Sequence, residues 1–210
     1  MRAGVAPDPA FAVARAAVRT RARDLLDHVA RRAPDAATVL FLDEPGLTCC
    51  EHPGFPLARH GVTDLLSGVL SGLTAAATGV HCCGPTDWGA VADAGPDILS
   101  LPVALAGAAD PLVLSRFLES GGRVAWGAVP TDGPVSDDAG LLWRRLVGVW
   151  CELVRAGCDP LLVRTRSLIT PACGLAGHGL SQADLALRLT RELGRRARDQ
   201  AAAARLSVGA

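Results

Sequence analysis

Thr38-Val39-Leu40-Phe41-Leu42-Asp43, followed at once by Pro45-Gly46, is the stretch that decides the fold. A short continuous apolar run ended by turn residues is the signature of a strand buried on both faces, as strands of parallel sheets are. Ahead of it, Phe11, Ala14, Val18, Ala22, Leu25 and Val29 recur at helical spacing as far as Pro34, with Asp8-Pro9 as the expected N-cap and first helical residue. Behind it, Leu65, Leu66, Val69, Leu70 and Leu73 mark a helix expected to close at Gly79. Residues 80–83 and 98–101 then read as two short strands. Asp110-Pro111 opens the next helix, which runs through Phe117 and Leu118 and ends at Gly121-Gly122. Residues 124–129 form another strand. Leu142, Leu146, Val149, Leu153 and Val154 make a helical stripe, with Asp137 and Asp138 near its start, where the helix dipole favours negative charge. Residues 161–170 read as a last extended segment broken by Arg164 and Arg166. Ser181 and Asp184 have the spacing of a capping box for a final helix carrying Leu185, Leu189 and Leu193.

Alternation of strand and helix predicts an α/β protein whose right-handed crossovers lay the strands parallel. With no break in composition, residues 1–210 are expected to form a single domain. A closed (β/α) TIM barrel has eight strands and about 250 residues. Five strands predict an incomplete barrel lacking its N-terminal strands, completed by a partner or left from a larger protein. Its open edges and apolar interior favour self-association.

Composition narrows the function classes. Apolar residues make up 50% of the chain, so disorder is not expected. The formal net charge is zero, and a nucleic-acid footprint requires a clustered basic excess. The start of the chain has no apolar stretch of the kind a signal peptide needs, and the apolar run at 98–109 is shorter than the roughly 20 residues of a membrane span. Seven cysteines without a secretory leader point to a reducing, cytoplasmic setting, where thiols are buried apolar groups or ligands.

Chemistry-bearing residues gather just after the expected strands: Asp43 and Glu44, His81 and Cys83, Asp132, and Cys173 within Pro171-Ala172-Cys173-Gly174-Leu175. C-terminal strand ends are where parallel α/β proteins build active sites. On a strand, His81 and Cys83 would share one face, because side chains alternate. Three N/S donors with one position open is the form of a catalytic zinc site. The competing reading is that these cysteines are core thiols and His81 a satisfied core histidine. Cys151 and Cys158 read as structural, Cys82 as packed in the sheet wall, and Cys50-Glu51-His52 as a loop.

Asp43-Glu44-Pro45, His81-x-Cys83, Asp97-Ile98-Leu99-Ser100-Leu101 and Pro171-Ala172-Cys173-Gly174-Leu175 occur in the order found in cobalamin-independent methionine synthase. From about Thr38 onward the chain resembles the later part of that family's C-terminal catalytic barrel. The resemblance implies zinc on His81, Cys83 and Cys173. It also implies a homocysteine-type thiol whose amino group is held by Asp43, beside Glu44, and a methylated folate as methyl donor. This chain differs from the family in having Pro102 where the family's glutamate ligand stands. Asp132 is the titratable residue nearest the place of the family's proton-donating histidine, and the early barrel strands are missing. Two other readings stay open: a decarboxylase resembling uroporphyrinogen decarboxylase, with Arg164 and Arg166 recruited for an acidic substrate, and a non-catalytic barrel fragment.

Overall fold

The computed structural model describes residues 7–208; Met1 to Ala6, where part of the leader argument falls, lie outside the described residues. Five strands, β1 (Val39–Asp43), β2 (Ala77–His81), β3 (Ile98–Pro102), β4 (Arg123–Val129) and β5 (Ser167–Pro171), form one sheet. Spatial order equals chain order, β1-β2-β3-β4-β5, and every pairing is parallel. The chain is thus α/β, as expected. Among the described residues the sheet is open, with β1 and β5 as its two edges.

Helices α1 (Pro7–Arg32), α2 (Arg59–Leu70), α3 (Trp88–Asp93), α4 (Pro111–Glu119), α5 (Ala139–Arg155), α6 (Pro160–Thr165) and α7 (Leu180–Val208) fill the connections and flanks. Four of them start on an aspartate that accepts a backbone N–H of its own first turn: Asp87 from Ala90, Asp110 from Leu112, Asp138 from Leu141, and Asp159 from Leu161. Such a cap contributes about 1 kcal/mol, because it satisfies a donor that the helix leaves unpaired.

Several boundaries differ from the sequence reading, each for a local reason. Residues 161–170 are not one extended segment; their first half is α6, announced by the same Asp-Pro signal, Asp159-Pro160, that opens α4. Gly79 does not close a helix. It lies within β2, where an added Cβ would stand 2.4 Å from the Phe41 ring of the neighbouring strand. β2 ends at His81, so Cys83 is in the loop beyond it and strand alternation does not relate the two residues. Asp8 and Ser181 are not caps, because α1 and α7 already begin at Pro7 and Leu180. In α1 the stripe turns by one position: Leu26 is buried, and Leu25 is half exposed.

Register defines two faces, since residues paired across parallel strands point the same way. One face carries Leu42, Val80, Leu99, Leu101, Val124 and Trp126, all in the main hydrophobic core. Trp126 is wholly buried and its indole donates to Ser167 Oγ at 2.7 Å, which in turn donates to the Val163 carbonyl of α6 at 2.6 Å. The other face carries the row Asp43, His81, Ser100, Ala125 and Leu168, one residue from each strand. That face is narrow. A Cβ on Gly127 would come within 2.7 Å of Ala172 Cα and 3.1 Å of Pro102 Cα, so backbone from both neighbouring strands leans over it.

Candidate functional site

The C-terminal edge of the sheet collects most of the candidate residues. Asp43 and His81 end their strands side by side, and the Glu44 N–H donates to the His81 carbonyl at 2.8 Å. Asp43 is exposed. Glu44 is more enclosed, and its carboxyl is raised above the usual carboxylate range by burial and then by the neighbouring Asp43 charge. Two carboxylates so placed favour a cation between them.

His81 is oriented by its row partner. Its Nδ1 lies 3.2 Å from the Ser100 carbonyl and 3.1 Å from Ser100 Oγ. An Nδ1–H donated to a carbonyl leaves the lone pair on Nε2, the arrangement that metal-binding imidazoles use. Nε2 is buried and has no hydrogen-bond partner. A buried polar atom left unpaired costs about 1–3 kcal/mol, and such an atom in an otherwise satisfied ring asks for a ligand.

Cys83 and Cys173 leave the sheet after β2 and β5 and line the same cleft. The Cys83 thiol is pushed up first by partial desolvation, then by Cys173 and Cys82. Both residues are exposed. Cys82 between them and the core is fully buried, its thiol near Thr48 Oγ1 at 3.7 Å and the Gly84 carbonyl at 3.5 Å, so it anchors the loop that carries Cys83.

The thiol pair lines a cleft of about 720 Å³. Its walls are mainly apolar, with Pro102, Val103, Leu105, Leu142 and Val149. Asp132, Arg145 and Glu152 supply the charge. Asp132 is exposed at this cleft, on a loop tied to the segment after β5: His178 Nε2 lies 3.1 Å from the Thr131 carbonyl, and Gln182 Oε1 accepts the Val135 N–H at 2.7 Å. Asp43, Glu44 and His81 are not among the lining residues.

Zinc requires donors of this chemistry. Two thiols on one cleft and an imidazole with a free, buried Nε2 supply it, and Pro102 supplies nothing. They are not preassembled: among the described residues no group of three or more His, Cys, Asp or Glu side chains is set to hold a metal ion. A three-donor site therefore needs the exposed Cys83 and Cys173 loops to close toward His81. The remaining thiols divide. Cys158 is buried, with its thiol near the Pro111 carbonyl, whereas Cys151, expected to be structural too, is exposed on α5.

Arg164, within α6, and Arg166, just ahead of β5, lie at the opposite end of the strand from Cys173. Arg164 donates to the Pro160 carbonyl and Arg166 to the Gly121 carbonyl, so neither serves this cleft. Ser100, Arg145 and Glu152 were not singled out from the sequence. Ser100 is a polar residue inside an apolar strand, and Arg145 and Glu152 lie two helical turns apart on one face; both signals were legible.

No protein-family model, curated protein or solved structure matches the chain. No helix among the described residues is long and apolar enough to cross a membrane.

Proposed function

We propose that the chain is a zinc-dependent, methyltransferase-like protein that activates a small thiol for S-alkylation, built on part of a (β/α) barrel and working in the cytoplasm. One observation carries this reading: Cys83 and Cys173, from beyond the ends of two non-adjacent strands, line one cleft, and His81, which ends β2 two residues before Cys83, has a buried and unpaired Nε2. The open, sequentially ordered parallel sheet and its narrow inner face support the barrel part of the reading.

His81, Cys83 and Cys173 would hold the metal. Bound zinc lowers the acidity threshold of a substrate thiol, so that it is held as thiolate, the nucleophilic form, at neutral pH. Ser100 keeps the His81 ring in the tautomer that presents Nε2. Asp43 and Glu44 would take the ammonium group of an amino-acid thiol such as homocysteine. That cation would offset the burial and the Asp43 charge that raise the Glu44 carboxyl above its ordinary range. The cleft would seat the alkyl donor, a methylated folate by resemblance, with Asp132 positioned to exchange a proton at its mouth.

Zinc analysis with X-ray absorption tests this. The expected result is about one zinc per chain bound by two sulfurs, with a third sulfur joining under saturating homocysteine. Cys83→Ser and Cys173→Ser should each remove most of the metal, since a hydroxyl is a poor replacement for a thiolate. Unchanged zinc content in both variants, or a sulfur count that stays at two under saturating thiol, sinks the reading.

A further inference from the structure

A hollow of about 1160 Å³, larger than the candidate-site cleft, lies between the outer edge of β5 and α7. Its apolar lining has Ile169 from β5 with Leu185 and Leu189 from α7, and Leu168 from the opposite face of the strand. Its wall is cationic. Arg188, Arg191, Arg195, Arg198 and Arg205 follow one another at helical spacing along one face of α7, and Arg164 stands on α6, ahead of the strand. Asp137 and Glu192 are the only carboxylates in the lining. Glu192 is engaged by Arg196 and Asp184 by Arg188, so among the described residues Arg191, Arg195 and Arg198 have no ion-pair partner.

The strand edge below this wall is also unsatisfied. β5 pairs only with β4, so alternate N–H and C=O groups of 167–171 point outward with no strand to receive them. A free, partly apolar edge is a template for an added strand. Natural proteins guard such edges with like charges that repel a second copy, and here the guard is a row of arginines. A second copy docking through this same edge would set one row of α7 arginines against the other. An acidic chain meets no such barrier.

We infer that the outer edge of β5 and the arginine face of α7 form a docking groove for an extended, acidic segment of another polypeptide. The segment adds beside β5 as a sixth strand, its alternate apolar side chains on Ile169, Leu185 and Leu189 and its carboxylates against Arg191, Arg195 and Arg198. Two features favour a peptide over a nucleic acid: the apolar lining is aliphatic with no aromatic platform for bases, and the unpaired backbone edge has use only for another backbone.

The test is fluorescence anisotropy with the full chain and an end-capped (Glu-Val)4 peptide, alongside (Lys-Val)4, an oligoglutamate of equal charge and a single-stranded oligonucleotide. The expected result is saturable binding of (Glu-Val)4, weakening as salt screens the arginines. Oligoglutamate should bind at least tenfold more weakly for want of apolar contacts, and (Lys-Val)4 should not bind. Arg191→Glu/Arg195→Glu, both on the helix surface, should weaken the peptide at least tenfold with an unchanged melting curve. Ile169→Lys in the apolar lining, and amide hydrogen exchange showing new protection at 167–171 on peptide addition, locate the contact independently. No binding of (Glu-Val)4, equal binding by the oligonucleotide, or light scattering that finds this edge already covered in a self-assembled oligomer overturns the inference.

Discussion

Cys83 and Cys173 line one cleft although β3 and β4 lie between the strands that deliver them. Neighbouring strands are about 4.8 Å apart, so in a flat sheet the ends of β2 and β5 would stand roughly 14 Å from one another. Curvature of the sheet and the reach of the two loops close that gap, and the same curvature crowds backbone over Gly127. The candidate site is therefore a product of sheet shape. Any change that flattens the sheet should open the thiol pair before it unfolds the protein.

The electrostatic coupling of the two thiols has a kinetic signature. Burial, Cys173 and Cys82 all hold the Cys83 thiol protonated beyond its ordinary range. Cys173→Ala removes the second of these causes, so in metal-free protein Cys83 should react with iodoacetamide faster at pH 7–8 than in the parent chain. At high pH, where the thiolate is complete in both, the rates should converge. Peptide-resolved mass spectrometry reads the rates. Identical pH–rate profiles would mean the two thiols are apart in solution.

His81 offers a test of orientation. Ser100→Ala deletes one of the two groups at Nδ1 and leaves the backbone carbonyl. Zinc affinity, measured by competition with a chromogenic chelator, should fall about tenfold, the lower end of the effect of losing an outer-shell partner. His81→Ala should lower it further. If both substitutions leave affinity alone, His81 is not a ligand and the metal, if bound, rests on the thiols.

Glu44 should reveal itself through pH. Its folded pKa is raised, by burial and then by Asp43. A carboxyl with a raised pKa binds its proton more tightly in the folded state, so its contribution is present at low pH and is lost as pH rises through the folded value. Glu44→Gln should therefore raise the melting temperature at pH 7 and have no such benefit near pH 4. A homocysteine-type ammonium bound at the pair should narrow the pH 7 difference. A variant destabilised at neutral pH would show that the charge of Glu44 is already compensated.

Two glycines separate rigid from yielding neighbours. At Gly127 an added Cβ meets backbone on both sides, whereas at Gly79 it meets the side chain of Phe41, which is only half-buried. Gly127→Ala should cost about 2 kcal/mol or more in urea unfolding, near the upper range of overpacking, and Gly79→Ala less, because a ring can turn and a strand cannot. Gly127→Ala should also separate the thiols. Equal costs at the two positions would argue against the narrow inner face.

Much of the architecture is a consequence of local sequence. An apolar run such as 38–43 became a strand of the parallel sheet, but not the doubly buried one its composition suggests: as edge strand β1 it buries only Leu42, and Val39 and Asp43 are exposed. Asp110-Pro111 and Asp159-Pro160 satisfy and preset a helical first turn wherever they occur. The parallel order follows from the alternation of such pieces and the handedness of their connections. The candidate residues were likewise legible one by one as thiols, carboxylates and an imidazole at strand ends. Their assembly was not. Whether His81 and Cys83 share a face depends on where β2 stops, and it stops at His81 because pairing with β3 ends there, at Ser100. Whether Cys83 and Cys173 share a cleft depends on how far the sheet curls, a sum over three strand pairings. Local composition does not encode that sum, and only the tertiary structure decided it.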